Sequence, residues 1–217
     1  MNLSYVERLQ QRPLLKGFDA FANKVRGYVD NLLPRRQYYL QKATKVLKIS
    51  NQFSESSDDT LNSEINKYRA IAARGQLSGK ELLTATAIVC EASLRSMKMK
   101  PYKVQIAAAL SLQDGCIAEM ATGEGKSLTA AIAAVLTGWI GRGCHVMTSN
   151  HYLAGRDAKE FTPLFTYCNL SVDAISEETE GDSRRQAYRA DITYCTNKDV
   201  AADFLRDQIS MGSKQTS

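Results

Sequence analysis

The chain has 217 residues, of which 44% are hydrophobic and 24% are charged, as in ordinary globular proteins. No apolar run approaches the roughly 20 residues of a membrane span, and polar residues interrupt the N-terminus where a signal peptide would be apolar. The sequence therefore argues against a membrane-spanning or secreted protein and predicts the cytoplasm as the compartment.

The net charge of +5 is unevenly distributed. Residues 1–50 hold ten basic and three acidic side chains, which gives +7, and the remaining residues sum to −2. The basic leading part indicates attraction to an anionic surface, with a solvated basic helix face as the alternative. The slightly acidic remainder disfavours a groove that tracks a nucleic-acid strand, so no nucleic-acid partner is expected.

The cysteines and histidines do not have the spacing of a structural site. Five cysteines with long gaps and no CxxC pair argue against a disulfide framework or a zinc site. The two histidines have no carboxylate or cysteine at ligand spacing, so packing or loop roles are expected of them.

Residues 1–34 are predicted to form a basic amphipathic arm. Between Pro13 and Pro34 the apolar residues recur at steps of three and four, which predicts a helix with one apolar side. The opposite side carries Lys16, Lys24 and Arg26. Such a helix can lie on an anionic membrane surface, dock on a partner helix, or pack on its own domain.

Residues 35–110 are predicted to be a helical lead-in. Helical spacing runs from Arg35 to about Ile49, resumes at Leu61 after a polar linker at residues 54–59, and continues from Leu82 to Met97. A further helix is predicted from Gln105 to Leu112.

The most informative stretch is the glycine loop, Met120–Ser127, with the sequence MATGEGKS. The apolar run Cys116–Ala118 before it predicts a strand, and the apolar-periodic run Leu128–Ile140 after it predicts a helix. Its last six residues have the short form T-G-x-G-K-[ST] found in helicase-like ATPases. A glycine-rich turn with no ligand is the plain alternative.

The residue types of the glycine loop suit a polyphosphate. Its two glycines allow a tight turn that brings backbone N–H groups close to a ligand, and the helix N-terminus adds unpaired donors. Lys126 can reach terminal phosphates, and the hydroxyl of Ser127 can bind Mg²⁺. Gln105 stands 18 positions before Gly123, and its side-chain amide can read an adenine edge.

Strands and helices alternate after the glycine loop. Strands are predicted at Cys144–Thr148, Leu170–Ile175 and Asp191–Cys195, with helices between and after them. This order predicts an α/β fold with a parallel, doubly wound sheet over residues 111–210, followed by a tail at 211–217. Such sheets bind ligands at the carboxyl ends of their strands.

Several of these segments together resemble SecA, the motor of bacterial preprotein translocation. The glycine loop resembles its phosphate loop, and Tyr102–Gln105 resembles its adenine-reading segment. Asn150–Ala158 and Ala190–Asn197, followed by Phe204–Asp207, are similar to its next two motifs in the same order. The resemblance extends over residues 32–210.

The resemblance implies a partial RecA-like P-loop parallel sheet preceded by an α-helical N-terminal region. It implies an ATPase that moves preproteins through the SecYEG channel and touches acidic phospholipid, at the cytoplasmic side of the inner membrane. It also implies that ATP and Mg are bound, with Gln105 on the adenine and the glycine loop on the phosphates and metal through Thr122, Gly123, Glu124, Gly125, Lys126 and Ser127.

Some residues depart from the family pattern. The family usually has arginine at Ala121, aspartate at His151 and glycine at Cys195. Its acidic Asp-Glu-x-Asp motif does not follow Asp207, so we expect an N-terminal fragment with weak nucleotide binding and negligible turnover. The alternatives are a stand-alone nucleotide-binding regulatory module and a membrane- or partner-docking fragment without motor activity.

Overall fold

A computed structural model describes residue 21 and residues 35–213, with side chains described as far as residue 209. Apart from Phe21, the predicted arm lies outside this range, as does the end of the predicted tail, 214–217. The chain divides into two units, Met1–Tyr38 and Tyr39–Ser217. In the described part of the chain, no helix has the length and apolar character to cross a membrane.

Four helices form the first half of the described chain: α1 (Arg35–Phe53), α2 (Asp58–Ala73), α3 (Gly79–Met97) and α4 (Lys103–Gln113). The polar linker starts α2 as expected, because the hydroxyl of Ser57 accepts a hydrogen bond from the N–H of Thr60 at 3.2 Å. The helix α3 is the most buried of the four along its middle, where residues 85–93 are all buried.

Arg95 on α3 holds the junction between α1 and α2. Its guanidinium donates to the carbonyl oxygens of Phe53 and Ser56, each at 2.8 Å, and to the carboxylates of Asp58 and Glu91. One planar cation with five N–H donors thus satisfies the carbonyl groups at the end of α1 and the acidic start of α2.

Strands and helices alternate in the second half. The helix α5 (Lys126–Gly138) is followed by β1 (Cys144–Thr148), α6 (His151–Tyr167), β2 (Val172–Ala174), α7 (Gly181–Ala187), β3 (Ile192–Thr196) and α8 (Asn197–Ser213). The three strands form one parallel sheet in the order β1-β3-β2. In its register Cys144 and Val172 both pair with Ile192. The predicted α/β class with a parallel sheet is confirmed.

Helices cover both faces of this sheet. Neighbouring residues of β3 point to opposite faces, and they belong to different hydrophobic clusters. Tyr194 lies in the main core with Phe165 of α6, at 6.2 Å between ring centroids. Cys195 packs with Ala187 of α7 in a smaller cluster on the other face. The main core also contains residues of α1 to α4, so the helical lead-in and the sheet region share it.

The strand predicted at Cys116–Ala118 is wrong. The helix α4 ends in a left-handed turn at Gly115 (φ 73°), and the N–H of Cys116 donates back to the carbonyl of Ser111 at 2.9 Å. This bond closes the helix and takes the first N–H that a ladder would need. Ile117 is 98% exposed, so no apolar face holds the segment against a neighbouring strand. The glycine loop is therefore preceded by a segment without regular secondary structure, not by a strand.

Two buried polar aromatic residues give a test of the core. The hydroxyl of Tyr194 is buried with no hydrogen-bond partner among the described residues, whereas the indole N–H of Trp139 donates to the carbonyl of Cys168 at 3.0 Å. We expect Tyr194→Phe to leave the free energy of unfolding unchanged or to raise it by up to about 1 kcal/mol, because an unpaired buried hydroxyl is removed.

The matched change Trp139→Phe should lower the free energy of unfolding by about 1–3 kcal/mol, since it leaves a buried carbonyl unpaired and opens space in the core. Urea unfolding of the three proteins measures both effects. A Tyr194→Phe protein that loses as much stability as Trp139→Phe would show that the tyrosine hydroxyl is paired in solution.

Candidate functional site

The glycine loop turns sharply into α5. Gly123 and Gly125 both have left-handed backbone conformations, with φ of 87° and 77°, and Gly125 is the N-cap residue of the helix. Only glycine adopts these angles without strain, which is why the sequence needs it at both positions. Glu124 between them closes the loop on itself, as its carboxylate accepts the N–H of Ala121 at 2.8 Å.

The start of α5 presents a row of unpaired donors. Within the described chain, the backbone N–H groups of residues 125–128 have no hydrogen-bond acceptor, and the helix adds the positive end of its dipole there. The ammonium group of Lys126 is exposed and has no ion pair with a described residue, and Thr122 is exposed beside it. These groups together favour a bound anion carrying several oxygens.

Gln105 lies against this loop. Its side-chain oxygen accepts the N–H of Tyr102 at 2.8 Å, and its side-chain nitrogen donates to the carbonyl of Glu124 at 2.9 Å. The residue is 6% exposed. The structure thus brings the predicted adenine reader and the predicted phosphate loop together, and one N–H and one lone pair of the amide stay available.

The contact with Gln105 is so close that a side chain at Gly125 would force the Gln105 amide to move. A Cβ atom placed on Gly125 would collide with the side-chain nitrogen of Gln105, whereas a Cβ on Gly123 would meet nothing within 4 Å. Gly125 is therefore required both by its backbone angle and by its neighbour, and Gly123 by its angle alone.

Ser127, the predicted magnesium ligand, has a partner that the sequence analysis did not assign to the site. Its hydroxyl donates to the carboxylate of Asp157 on α6 at 3.2 Å. The other oxygen of this carboxylate accepts two bonds from the guanidinium of Arg156, at 2.9 and 2.6 Å. Asp157 stood in a motif noted in the sequence, but it lies 30 positions after Ser127, and the sequence gave no signal that the two would meet.

A second polar network lies at the carboxyl end of β3. Asp199, at the start of α8, accepts from the N–H of Thr196 at 3.0 Å and from Arg184 at 2.8 Å, and the imidazole of His151 lies 2.9 Å away. Burial by itself raises the pKa of the Asp199 carboxyl, but the hydrogen bonds from Thr196 and Arg184 outweigh it and lower the pKa to about 2. His151 also contacts Glu177, at 3.2 Å.

The donor set fits a magnesium nucleotide. Loop amides and a lysine suit phosphate oxygens, and the oxygen of Ser127 is a ligand type that Mg²⁺ accepts. Among the residues that the structure covers, no group of three or more histidine, cysteine or acidic side chains is placed to hold a metal ion.

Residues 30–217 match the family model described as the SecA DEAD-like domain, which covers most of the chain. The chain belongs to the SecA family. It is 35% identical over 205 residues to protein translocase subunit SecA 2 of Magnetococcus marinus strain MC-1, a match covering 94% of this chain and 32% of the relative.

Two further relatives show the same extent. The chain is 35% identical over 194 residues to SecA 2 of Chlorobium chlorochromatii strain CaD3, covering 89% of the chain and 29% of that protein. It is 39% identical over 178 residues to protein translocase subunit SecA of Aliarcobacter butzleri strain RM4018, covering 81% and 20%. The chain thus spans a third or less of the length of these SecA proteins.

We expect Gly125→Ala to lower the free energy of unfolding by about 2–3 kcal/mol, from backbone strain and from the collision with Gln105. The matched change Gly123→Ala carries the strain alone and should cost about 1 kcal/mol. Urea unfolding measures the difference. In a Gln105→Ala background the collision is absent, so the stability cost of Gly125→Ala should fall toward that of Gly123→Ala. Equal losses for the two single variants would contradict the close contact.

The low pKa of Asp199 predicts an acid-dependent loss of stability. The folded pKa of about 2 lies below an unfolded value of roughly 3.9, so the carboxylate stabilises the fold above pH ~4 and loses that contribution as the pH falls from about 4 to about 2. The contribution is on the order of 2–3 kcal/mol. Asp199→Asn should be less stable at pH 7 and should lose less stability on acidification, which unfolding across this pH range measures. Parallel pH curves for both proteins would contradict it.

Proposed function

We propose that this SecA-family chain binds ATP or ADP together with magnesium, as the first nucleotide-binding part of a protein translocase motor. The observation that carries the proposal is the row of unpaired N–H groups at residues 125–128, with Lys126 exposed beside them. Unpaired donors at a helix N-terminus, next to a free cation, are the features that bind a polyphosphate.

Each residue of the site has a proposed role. Gly123 and Gly125 bring the loop amides to the phosphate oxygens, and Lys126 neutralises the terminal phosphates. Ser127 supplies its hydroxyl oxygen to magnesium, which, when bound, neutralises charge on the phosphates. Thr122 and Glu124 belong to the same loop, with Glu124 holding its closed shape through Ala121.

Gln105 is proposed to read the adenine. Its amide already joins Tyr102 to Glu124, and its remaining N–H and lone pair match the acceptor and donor on the adenine edge. Because the same amide holds the carbonyl of Glu124, base recognition and loop shape depend on one side chain.

The wider role is proposed from the relatives. Two of them are named protein translocase subunit SecA 2 and one protein translocase subunit SecA, and we propose that this chain takes part in protein translocation. The SecYEG channel, preproteins and acidic phospholipid are the proposed partners, at the cytoplasmic face of the inner membrane. The 217 residues contain no Asp-Glu-x-Asp sequence, and we propose that by themselves they turn nucleotide over very slowly.

Lys126→Ala tests the binding site. We expect the wild-type chain to give heat with ADP and magnesium in calorimetry, and the variant to lose at least about tenfold in affinity, because the ammonium group is removed from the phosphates. Lys80→Ala, a change of an exposed lysine at the start of α3, is the matched control and should bind as the wild type does. Equal affinity of the wild type and Lys126→Ala would refute the assigned role.

Phosphate release tests the proposed turnover. We expect the 217-residue chain with ATP and magnesium to release phosphate at a rate close to that of a sample without protein, because carboxylates that orient the attacking water are not supplied. A coupled phosphate assay at saturating ATP measures the rate. Release at about one per second or faster, as in working phosphoryl-transfer enzymes, would overturn this part of the proposal.

A further inference from the structure

We propose that Asp157 is a positioning residue for the magnesium-binding hydroxyl of Ser127. The inference rests on the proposed function and adds to it a residue outside the glycine loop. Asp157 acts on the metal through Ser127 and is not itself proposed as a ligand.

The geometry separates the two oxygens of the Asp157 carboxylate. Oδ1 accepts both hydrogen bonds from Arg156, and Oδ2 accepts the hydrogen bond donated by the Ser127 hydroxyl. Asp157 is 8% exposed, so its charge is largely shielded from solvent. The Arg156 guanidinium offsets the cost of burying this charge and holds the carboxylate in one orientation.

The chemistry of a hydroxyl group explains why this partner matters. Ser127 has one proton and two lone pairs, and a metal ion binds only a lone pair. When an acceptor on one side of the hydroxyl receives its hydrogen bond, the lone pairs of the oxygen point away from that acceptor. The Ser127–Asp157 distance of 3.2 Å is longer than the usual O–H···O distance of about 2.7–2.8 Å. The bond has room to shorten when the oxygen gains a cation.

The negative charge of Asp157 has opposite effects on two ligands. It attracts magnesium and strengthens the hydroxyl as a donor of electron density, but it repels phosphate oxygens that carry no metal. The proposal therefore predicts a change in how binding depends on magnesium, whereas loss of a purely structural contact would weaken binding with and without the metal alike.

The test is calorimetry of ADP binding, in magnesium chloride and again in EDTA, for the wild type and Asp157→Asn. Asparagine keeps the shape of the side chain and one acceptor oxygen but removes the charge. We expect affinity for ADP in magnesium to fall about tenfold, within the 10–100-fold range typical of lost partners of metal ligands. Affinity in EDTA should stay equal or rise.

Two further proteins complete the experiment. Asp203→Asn is the matched control, since Asp203 also accepts from an arginine, Arg184. Its hydrogen-bond partners in the described chain are Arg184, Tyr188 and Arg206, none of which belongs to the glycine loop. It should leave unchanged the ratio of the affinity for ADP in magnesium to the affinity for ADP in EDTA. In a Ser127→Ala background, Asp157→Asn should change that ratio less than it does in the wild type, because the part of the effect that passes through the Ser127 hydroxyl is already absent.

The outcomes separate this inference from the proposed function. If the wild type binds ADP and Asp157→Asn keeps the wild-type ratio, or weakens binding equally in both conditions, the role of Asp157 is refuted while nucleotide binding stands. If the wild type shows no binding in either condition, the proposed function fails and the inference fails with it. A lowered ratio in Asp157→Asn, with the control unchanged, supports it.

Discussion

The site depends on one hydrogen bond, from the side-chain nitrogen of Gln105 to the carbonyl of Glu124. In a continuing helix that carbonyl would accept the N–H of Leu128, but the amide of Gln105 takes it instead. The N–H of Leu128 therefore stays unpaired, together with the first N–H groups that every helix leaves without an intrahelical acceptor. A Cβ atom at Gly125 would push the Gln105 amide out of this bond, so the shape of the loop and glycine at this position are linked through one interaction.

The glycine loop is positioned on the sheet by helices, since no strand directly precedes it. The helix α5 packs between α4 and β1, and α6 crosses the same face of the sheet against all three strands. Asp157 on α6 then reaches Ser127 on α5, so the partner of the proposed metal ligand is carried by the element that covers the sheet. A movement of α6 would change that contact, and this links the site to the packing of the main core.

The polar network around Asp199 stabilises the carboxyl edge of the sheet in a different way. It joins His151 after β1, Thr196 at the end of β3, and Arg184 on α7. At position 151 an imidazole lies between two carboxylates, Asp199 and Glu177. An aspartate at that position would add a third negative charge, so the histidine suits the acidic surroundings of this SecA-family chain.

The sequence by itself determined what depends on neighbours along the chain. Helical periodicity, the polar linker at residues 54–59, and the alternation after the glycine loop predicted the elements and the α/β class, because local backbone preferences and burial patterns repeat over a few residues. Tertiary structure alone decided the rest. The run at Cys116–Ala118 has a strand composition, but the cap at Gly115 removes its first N–H and nothing in the described chain pairs with it. The contact of Ser127 with Asp157 joins residues 30 positions apart, and only the packing of α5 against α6 brings them together.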